Sequence, residues 1–204
     1  MIISHEHEFI YFKSCKTAGT SIEVFLSAYC GVNDTITRIG EKTADWHIAQ
    51  HHSGFRNHNT AEDIRNSIGI KTFDKYYKFT SIRNPLDKML SLFFFWKMKD
   101  NNLVRGMDFN RFIIKNDFRH TLPMFHAPFY KIKDKIVTDD YIRYESIADD
   151  LERICGVLGL EYDAKYLLHY KKVSRTDVDI SEAAKQKIRD NFQQELIDLD
   201  YEIH

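Results

Sequence analysis

Basic and hydroxyl side chains cluster in one short segment near the start of the chain. Lys16 stands three residues before Gly19, and hydroxyls flank that glycine at Thr17, Thr20 and Ser21. A loop of this kind that turns into a helix offers backbone N–H groups and the positive end of the helix dipole to an anion. Lysine adds a mobile positive charge and the hydroxyls add further donors. The spacing therefore predicts a site for a phosphate-like group.

Two predicted elements position this loop. Residues 9–12 are aromatic or β-branched, which predicts a short buried strand. After the loop, apolar residues within 22–26 predict a helix, with Glu23 on its solvent side. The Walker A loop is excluded, because that motif requires Gly-x-x-x-x-Gly-Lys-Ser/Thr and no lysine follows Gly19.

A second pair of anion-binding side chains follows another predicted strand. Residues 76–82 alternate and are rich in aromatic side chains, which predicts that strand, and Pro85 fits the first turn of a helix after it. Arg83 lies at the end of the strand and Ser91 about two turns into the helix, so the two can converge on one oxyanion. Arginine supplies a planar fork of donors and serine one further hydroxyl.

Both groups resemble motifs of the PAPS-dependent sulfotransferases, in the carbohydrate and heparan-type branch that is sulfotransferase family 2-like. PAPS is 3′-phosphoadenosine 5′-phosphosulfate; residues 16–21 resemble the loop that holds its 5′-phosphosulfate, and Arg83 and Ser91 keep the spacing of the motif for its 3′-phosphate. The family usually has Pro where Cys15 stands and commonly Arg where Lys88 stands. The resemblance implies this set of cofactor-binding residues: Lys16, Thr17, Ala18, Gly19, Thr20, Ser21, Arg83 and Ser91, with Lys172, Ser174 and Arg175 from a basic segment near the C-terminus.

The resemblance also implies the reaction, which moves the sulfuryl group of PAPS to a hydroxyl or amine of a carbohydrate or small metabolite and leaves PAP. Such a transfer needs an acceptor that loses its proton as it attacks and a leaving oxygen whose charge is neutralised. Lys16 is expected to donate to that leaving oxygen, and no metal is expected. His58 is expected to be the base, because the family's histidine-using members place theirs before the helix that precedes the Arg-bearing strand. Five histidines remain as alternatives: His47, His51, His52, His120 and His126.

The order of the predicted elements indicates the fold class. Strands at residues 9–12, 76–82 and 141–144 alternate with helices, and the chain of 204 residues suggests a single domain over 1–204. The prediction is an α/β fold with a P-loop-like parallel sheet flanked by helices on both faces, and with the ligand beyond the carboxyl ends of the strands.

Composition restricts the partners. A formal net charge of −1 argues against a polycation that binds nucleic acid, and no apolar run is long enough to predict a membrane span. The three cysteines are an odd number at no metal-like spacing, so reduced thiols and a cytoplasmic location are expected. The start of the chain lacks the basic and apolar regions of a signal peptide. Eukaryotic relatives of the family carry a membrane anchor, so the expectation is a soluble bacterial or viral type or an excised catalytic domain.

Two other classes of function stay open at this point. A P-loop-type kinase needs the Walker glycine-lysine pair and a metal-binding aspartate after a strand, and neither is clear in the sequence. A non-catalytic nucleotide-binding module would keep the fold but gain nothing from Lys16 and His58. Binding of PAP without binding of ATP separates the kinase from the others, and turnover separates the enzyme from the module.

Overall fold

The computed structural model describes residues 1–37, 54–118, 125–167 and 176–204. The chain divides into two units, one made of Met1–Ile82 and His126–Tyr170 and the other of Arg83–Phe125 and Lys171–His204. Within the four described ranges, no helix is long and apolar enough to cross a membrane.

A mixed β-sheet is the centre of the first unit. The strands in chain order are β1 (Ile2–Ser4), β2 (Phe9–Phe12), β3 (Thr35–Ile36), β4 (Tyr77–Ile82), β5 (Lys131–Ile132), β6 (Lys135–Ile136) and β7 (Asp140–Arg143). Five of them form one sheet in the order β3-β1-β2-β4-β7, and β5 pairs with β6 in a separate hairpin. β2, β4 and β7 run parallel, whereas β1 is antiparallel to both β2 and β3.

The prediction of an all-parallel sheet is therefore wrong at the β1 and β3 edge. Only residues 5–8 connect β1 to β2, and so short a connection can join antiparallel neighbours only, because a parallel pair needs a crossover of roughly a dozen residues or more. The strands predicted at 9–12, 76–82 and 141–144 are present as β2, β4 and β7, within one residue at each end.

Helices cover both faces of this sheet, as the sequence predicted. The helices in chain order are α1 (Gly19–Ser27), α2 (Ala61–Ile68), α3 (Ile70–Lys75), α4 (Pro85–Met98), α5 (Phe109–Lys115), α6 (Ala127–Tyr130), α7 (Ile147–Leu158) and α8 (Glu182–Leu199). Alternate residues of β2 point to opposite faces, so Phe9 and Tyr11 pack in one core with α1 and α7. Ile10 and Phe12 pack in the other core with α2, α3 and α6.

The second unit is helical and contains α4, α5 and α8. Aromatic side chains fill its core, where the ring of Phe93 lies 5.7 Å from that of Phe109 and 5.5 Å from that of Phe112. Pro85 opens α4, and the side chain of Asn84 caps the helix by accepting from the N–H of Leu86 at 3.0 Å. Arg83 and Asn84 are the two residues that separate the end of β4 from the start of α4.

Candidate active site

The loop between β2 and α1 has an unusual backbone. Lys16 (φ 62°) and Ala18 (φ 58°) are both in the left-handed region, although neither is glycine. For an L-residue this conformation costs about 1–2 kcal/mol, so the surrounding structure must impose it. Turns of this kind bring successive backbone N–H groups to one side, where they make a concave site for an anion.

The N-terminus of α1 adds further donors. Its N-cap residue, Ala18, has no polar side chain to cap the helix, and no acidic residue lies in the first turn. The N–H groups of Ser21 and Ile22 donate to the carbonyl oxygen of Ala18 at 2.9 and 3.2 Å. The N–H groups of Gly19 and Thr20 come before them in the first turn, where a helix provides no acceptor of its own. This end of α1 therefore combines N–H donors with the positive end of the helix dipole.

Gly19 is required by close packing rather than by backbone freedom, since its φ is not positive. A Cβ atom at this position would lie 2.9 Å from Cγ of Lys13, 3.1 Å from the carbonyl oxygen of Ser14 and 3.4 Å from the hydroxyl of Tyr11. The first turn of α1 therefore packs directly against the beginning of the loop.

A chain of buried hydroxyl groups supports the loop from beneath. Thr17 is fully buried, and its Oγ1 donates to the carbonyl oxygen of Ser14 at 3.1 Å. Because that proton is used, the hydroxyl of Ser81 donates to Thr17 Oγ1 at 2.7 Å, and the hydroxyl of Tyr11 donates to Ser81 at 2.9 Å. The side chain of Thr17 thus stabilises the loop. Ser81, a hydroxyl near the end of a predicted buried strand, is the signal from which these hydroxyl contacts could have been predicted.

His58 lies against the same loop, just before α2. Its Nδ1 is 2.9 Å from the carbonyl oxygen of Lys13. A carbonyl oxygen only accepts, so Nδ1 carries the proton and Nε2 keeps a lone pair. Part of the side chain remains exposed, and the ring of Phe129 packs edge-on at 6.4 Å between centroids. Burial by the surrounding protein lowers the pKa of His58, an effect that the bond to Lys13 opposes, so the neutral imidazole predominates at pH 7.

The sequence predicted that Glu23 lies on the solvent side of α1. In the structure Glu23 is fully buried instead. One carboxylate oxygen pairs with Nζ of Lys13, and the other accepts from the amino group of Met1 and, at 2.8 Å, from the hydroxyl of Thr37. Burial alone raises the pKa of a carboxyl group, but the attraction and hydrogen bonds of the Met1 amino group and Lys13 outweigh it and lower the pKa of Glu23. The sequence could not indicate this burial, because the partners come from three separate segments.

His126, one of the alternative bases, has a different place. It is completely buried, and its Nδ1 lies 2.8 Å from the hydroxyl of Ser14, which is itself buried. This histidine therefore contacts the loop between β2 and α1 from the protein interior. The alternatives His47, His51, His52 and His120 lie outside the described residues, as do Lys172, Ser174 and Arg175.

Arg83 and Ser91 both belong to the second unit, at the start of α4. Both side chains are buried, and the guanidinium of Arg83 forms an ion pair with Asp87, with Nε 2.6 Å from the carboxylate. Lys88, which stands between them in the helix, is also fully buried. Sequence reasoning missed Asp87, although it stands four residues after Arg83, in the first turn of the predicted helix.

A comparison with known proteins identifies the family of this chain. The model of the sulfotransferase family matches residues 1–203. The chain belongs to the sulfotransferase family. The match spans both units and supports a sulfotransferase activity in general terms. The chain is also 30% identical over 99 residues to an uncharacterized protein of Archaeoglobus fulgidus, an alignment that covers 48% of this sulfotransferase-family chain and 79% of the archaeal protein. No solved structure matches.

Proposed function

We propose that this chain transfers the sulfuryl group of PAPS to a hydroxyl or amine of a carbohydrate or small metabolite and releases PAP. The observation that carries the proposal is the loop before α1, where two non-glycine residues adopt left-handed conformations ahead of a helix N-terminus without a side-chain cap. Such a loop gathers backbone N–H donors, and that donor set fits a phosphosulfate. Family membership supports the same donor, because sulfotransferases generally use PAPS.

Lys16 has the chemistry that the leaving group requires. It lies in the strained part of the loop, two residues before the N-cap of α1. As the bond between sulfur and the bridging oxygen breaks, the electron pair stays on the 5′-phosphate of PAP. An ammonium group that donates to that oxygen stabilises the developing charge. The N–H groups at Gly19 and Thr20 and the hydroxyls of Thr20 and Ser21 bind the remaining oxygens in this proposal.

His58 takes the proton of the acceptor. Its neutral state and its Nδ1–H bond to the carbonyl oxygen of Lys13 support this role, since Nε2 is then the basic nitrogen. The acceptor oxygen or nitrogen forms the new bond to sulfur while its proton moves to Nε2. The proton count therefore balances, with one proton gained by His58 for each sulfuryl group transferred.

Arg83 and Ser91 bind the 3′-phosphate in the proposal, and Lys172, Ser174 and Arg175 complete that part of the site. The spacing of Arg83 and Ser91 in the family motif is the main support. The burial of both side chains adds to it, because a buried guanidinium keeps a fixed geometry toward a phosphate. Asp87, which pairs with Arg83, orients the fork of donors before the ligand arrives.

Two measurements test the proposed function. Calorimetry with PAP, ATP and adenosine 5′-phosphosulfate should show tight binding of PAP, weaker binding of the ligand without a 3′-phosphate, and no binding of ATP. Labelled PAPS, supplied with a panel of carbohydrate and small-molecule acceptors, should then give a labelled product. Binding of ATP in preference to PAP would point to kinase chemistry instead. Binding of PAP with no transfer to any acceptor would indicate a nucleotide-binding module.

A further inference from the structure

Glu23, Lys13 and His58 are connected in series, from the buried side of α1 to the proposed base. Glu23 is fully buried and pairs with Nζ of Lys13, a residue that is only 5% exposed. The side chain of Lys13 passes over Gly19, close enough that a Cβ there would lie 2.9 Å from Lys13 Cγ. The carbonyl oxygen of Lys13 then accepts a hydrogen bond from Nδ1 of His58 at 2.9 Å. The described structure thus fixes Lys13 at the end of its side chain, along its stem and at its main chain.

A charged group in this place needs a reason. Taking a carboxylate and an ammonium out of water costs several kcal/mol for each ion, and a well-packed apolar pair of similar volume is often as stable or more so. Ile22 and Phe25 on α1 belong to an apolar core, whereas Glu23 on the same helix contacts Lys13, Thr37 and the amino group of Met1. By that general comparison, stability alone gives no reason to bury an ion pair here in place of apolar side chains.

We propose that Glu23 is a positioning residue for His58, acting through Lys13. By holding the side chain of Lys13, Glu23 fixes the direction of the Lys13 carbonyl group, and this carbonyl holds the proton of His58 on Nδ1. Nε2 is then left with its lone pair as the basic nitrogen. The inference rests on the proposed function, in which His58 is the base, but it concerns the tautomer of the ring, which is measurable without any turnover.

The test is the tautomeric state of His58 in the folded protein, read by long-range proton–nitrogen NMR with ¹⁵N-labelled histidine. The His58 signals are assigned by their loss in His58→Gln. We expect the parent protein to show the Nδ1-protonated form. Glu23→Gln should shift the ring toward a mixture of tautomers. It should also lower kcat by roughly 10-fold or more, a part of the about 10²–10⁴ that a general base contributes, with little change in the KM for PAPS.

Two further variants keep the test decisive. Lys13→Met removes the cation but leaves Glu23 bound to the amino group of Met1 and to Thr37, so it should produce the same change of tautomer even if Glu23→Gln does not fold. The double variant with Lys13→Met and Glu23→Gln should have the same kcat as either single variant, because both changes break the same connection. Glu62→Gln, in the exposed first turn of α2, is the matched control and should leave tautomer and kcat unchanged.

Each outcome decides the matter. A parent ring protonated on Nε2, or a folded Glu23→Gln or Lys13→Met protein with the tautomer of the parent, overturns the inference, even if stability falls. If the tautomer shifts as expected but His58→Gln retains full turnover, the positioning by Glu23 stands and the assignment of His58 as the base fails.

Discussion

Replacing Gly19 by alanine tests whether close packing at the start of α1 shapes the loop that we propose binds PAPS. The new Cβ would meet Lys13 Cγ at 2.9 Å and the carbonyl oxygen of Ser14 at 3.1 Å. Neither atom yields easily. Lys13 is held at its far end by Glu23, and the Ser14 carbonyl is backbone that accepts from Thr17.

The expected change in the free energy of unfolding is the difference between two opposing effects. Alanine is favoured over glycine within a helix by up to about 1 kcal/mol, and less at its first residue. An extra methyl group in a well-packed site costs about 1–3 kcal/mol. Gly19→Ala should therefore lower the free energy of unfolding by roughly 1–2 kcal/mol. The displaced loop should also weaken the binding of PAP by roughly 10-fold or more, because small misplacements at a binding site are costly.

Gly156→Ala is the matched control. Gly156 is exposed in the last turn of α7, and nothing lies within 4 Å of a Cβ built there, so the helix preference acts alone. This substitution should raise the free energy of unfolding by about 0.5–1 kcal/mol and leave PAP binding unchanged. Urea unfolding and calorimetry with PAP measure both quantities. If Gly19→Ala were as stable as Gly156→Ala and bound PAP like the parent, the reasoning from close packing would be refuted.

Four other substitutions address the proposed chemistry. Lys16→Ala should lower turnover by roughly 100-fold or more while PAP binding weakens only modestly, and near-normal turnover would remove Lys16 from the reaction. Arg83→Ala, and to a smaller extent Ser91→Ala, should weaken binding of PAP more than binding of adenosine 5′-phosphosulfate; equal losses would mean that the 3′-phosphate lies elsewhere. His58→Ala should lower turnover by roughly 100-fold or more with PAP affinity unchanged. Because burial lowers the pKa of His58 from 6.5, the rate of the parent should fall on the acidic side of that value, and His58→Ala should lack this limb of the pH–rate profile.

Local patterns in the sequence were enough to predict much of the first unit. The continuous apolar run of β2 and the alternation in β4 each reflect a constraint that acts within one segment. β1 and β3 were missed because strands of three and two residues are too short to show any period. The direction of β1 depends on its pairing with β2, which only the folded sheet determines.

The candidate site was also predictable only in part from the sequence. The residue types and spacing around Lys16, together with the family resemblance, predicted an anion-binding loop, because a loop that leads into a helix N-terminus carries its donors in consecutive residues. Only the tertiary structure decided which hydroxyls face inward. Thr17 bonds to Ser81, which lies 64 residues further along the chain.

Glu23 is the clearest case of what the sequence left undetermined. As one charged residue beside apolar ones on a short helix, it predicted a solvent-facing position, since a carboxylate alone is costly to bury. The structure buries it because Lys13, Met1 and Thr37 supply its partners together. A charge can be buried only where such partners meet, and these come from segments that are distant along the chain.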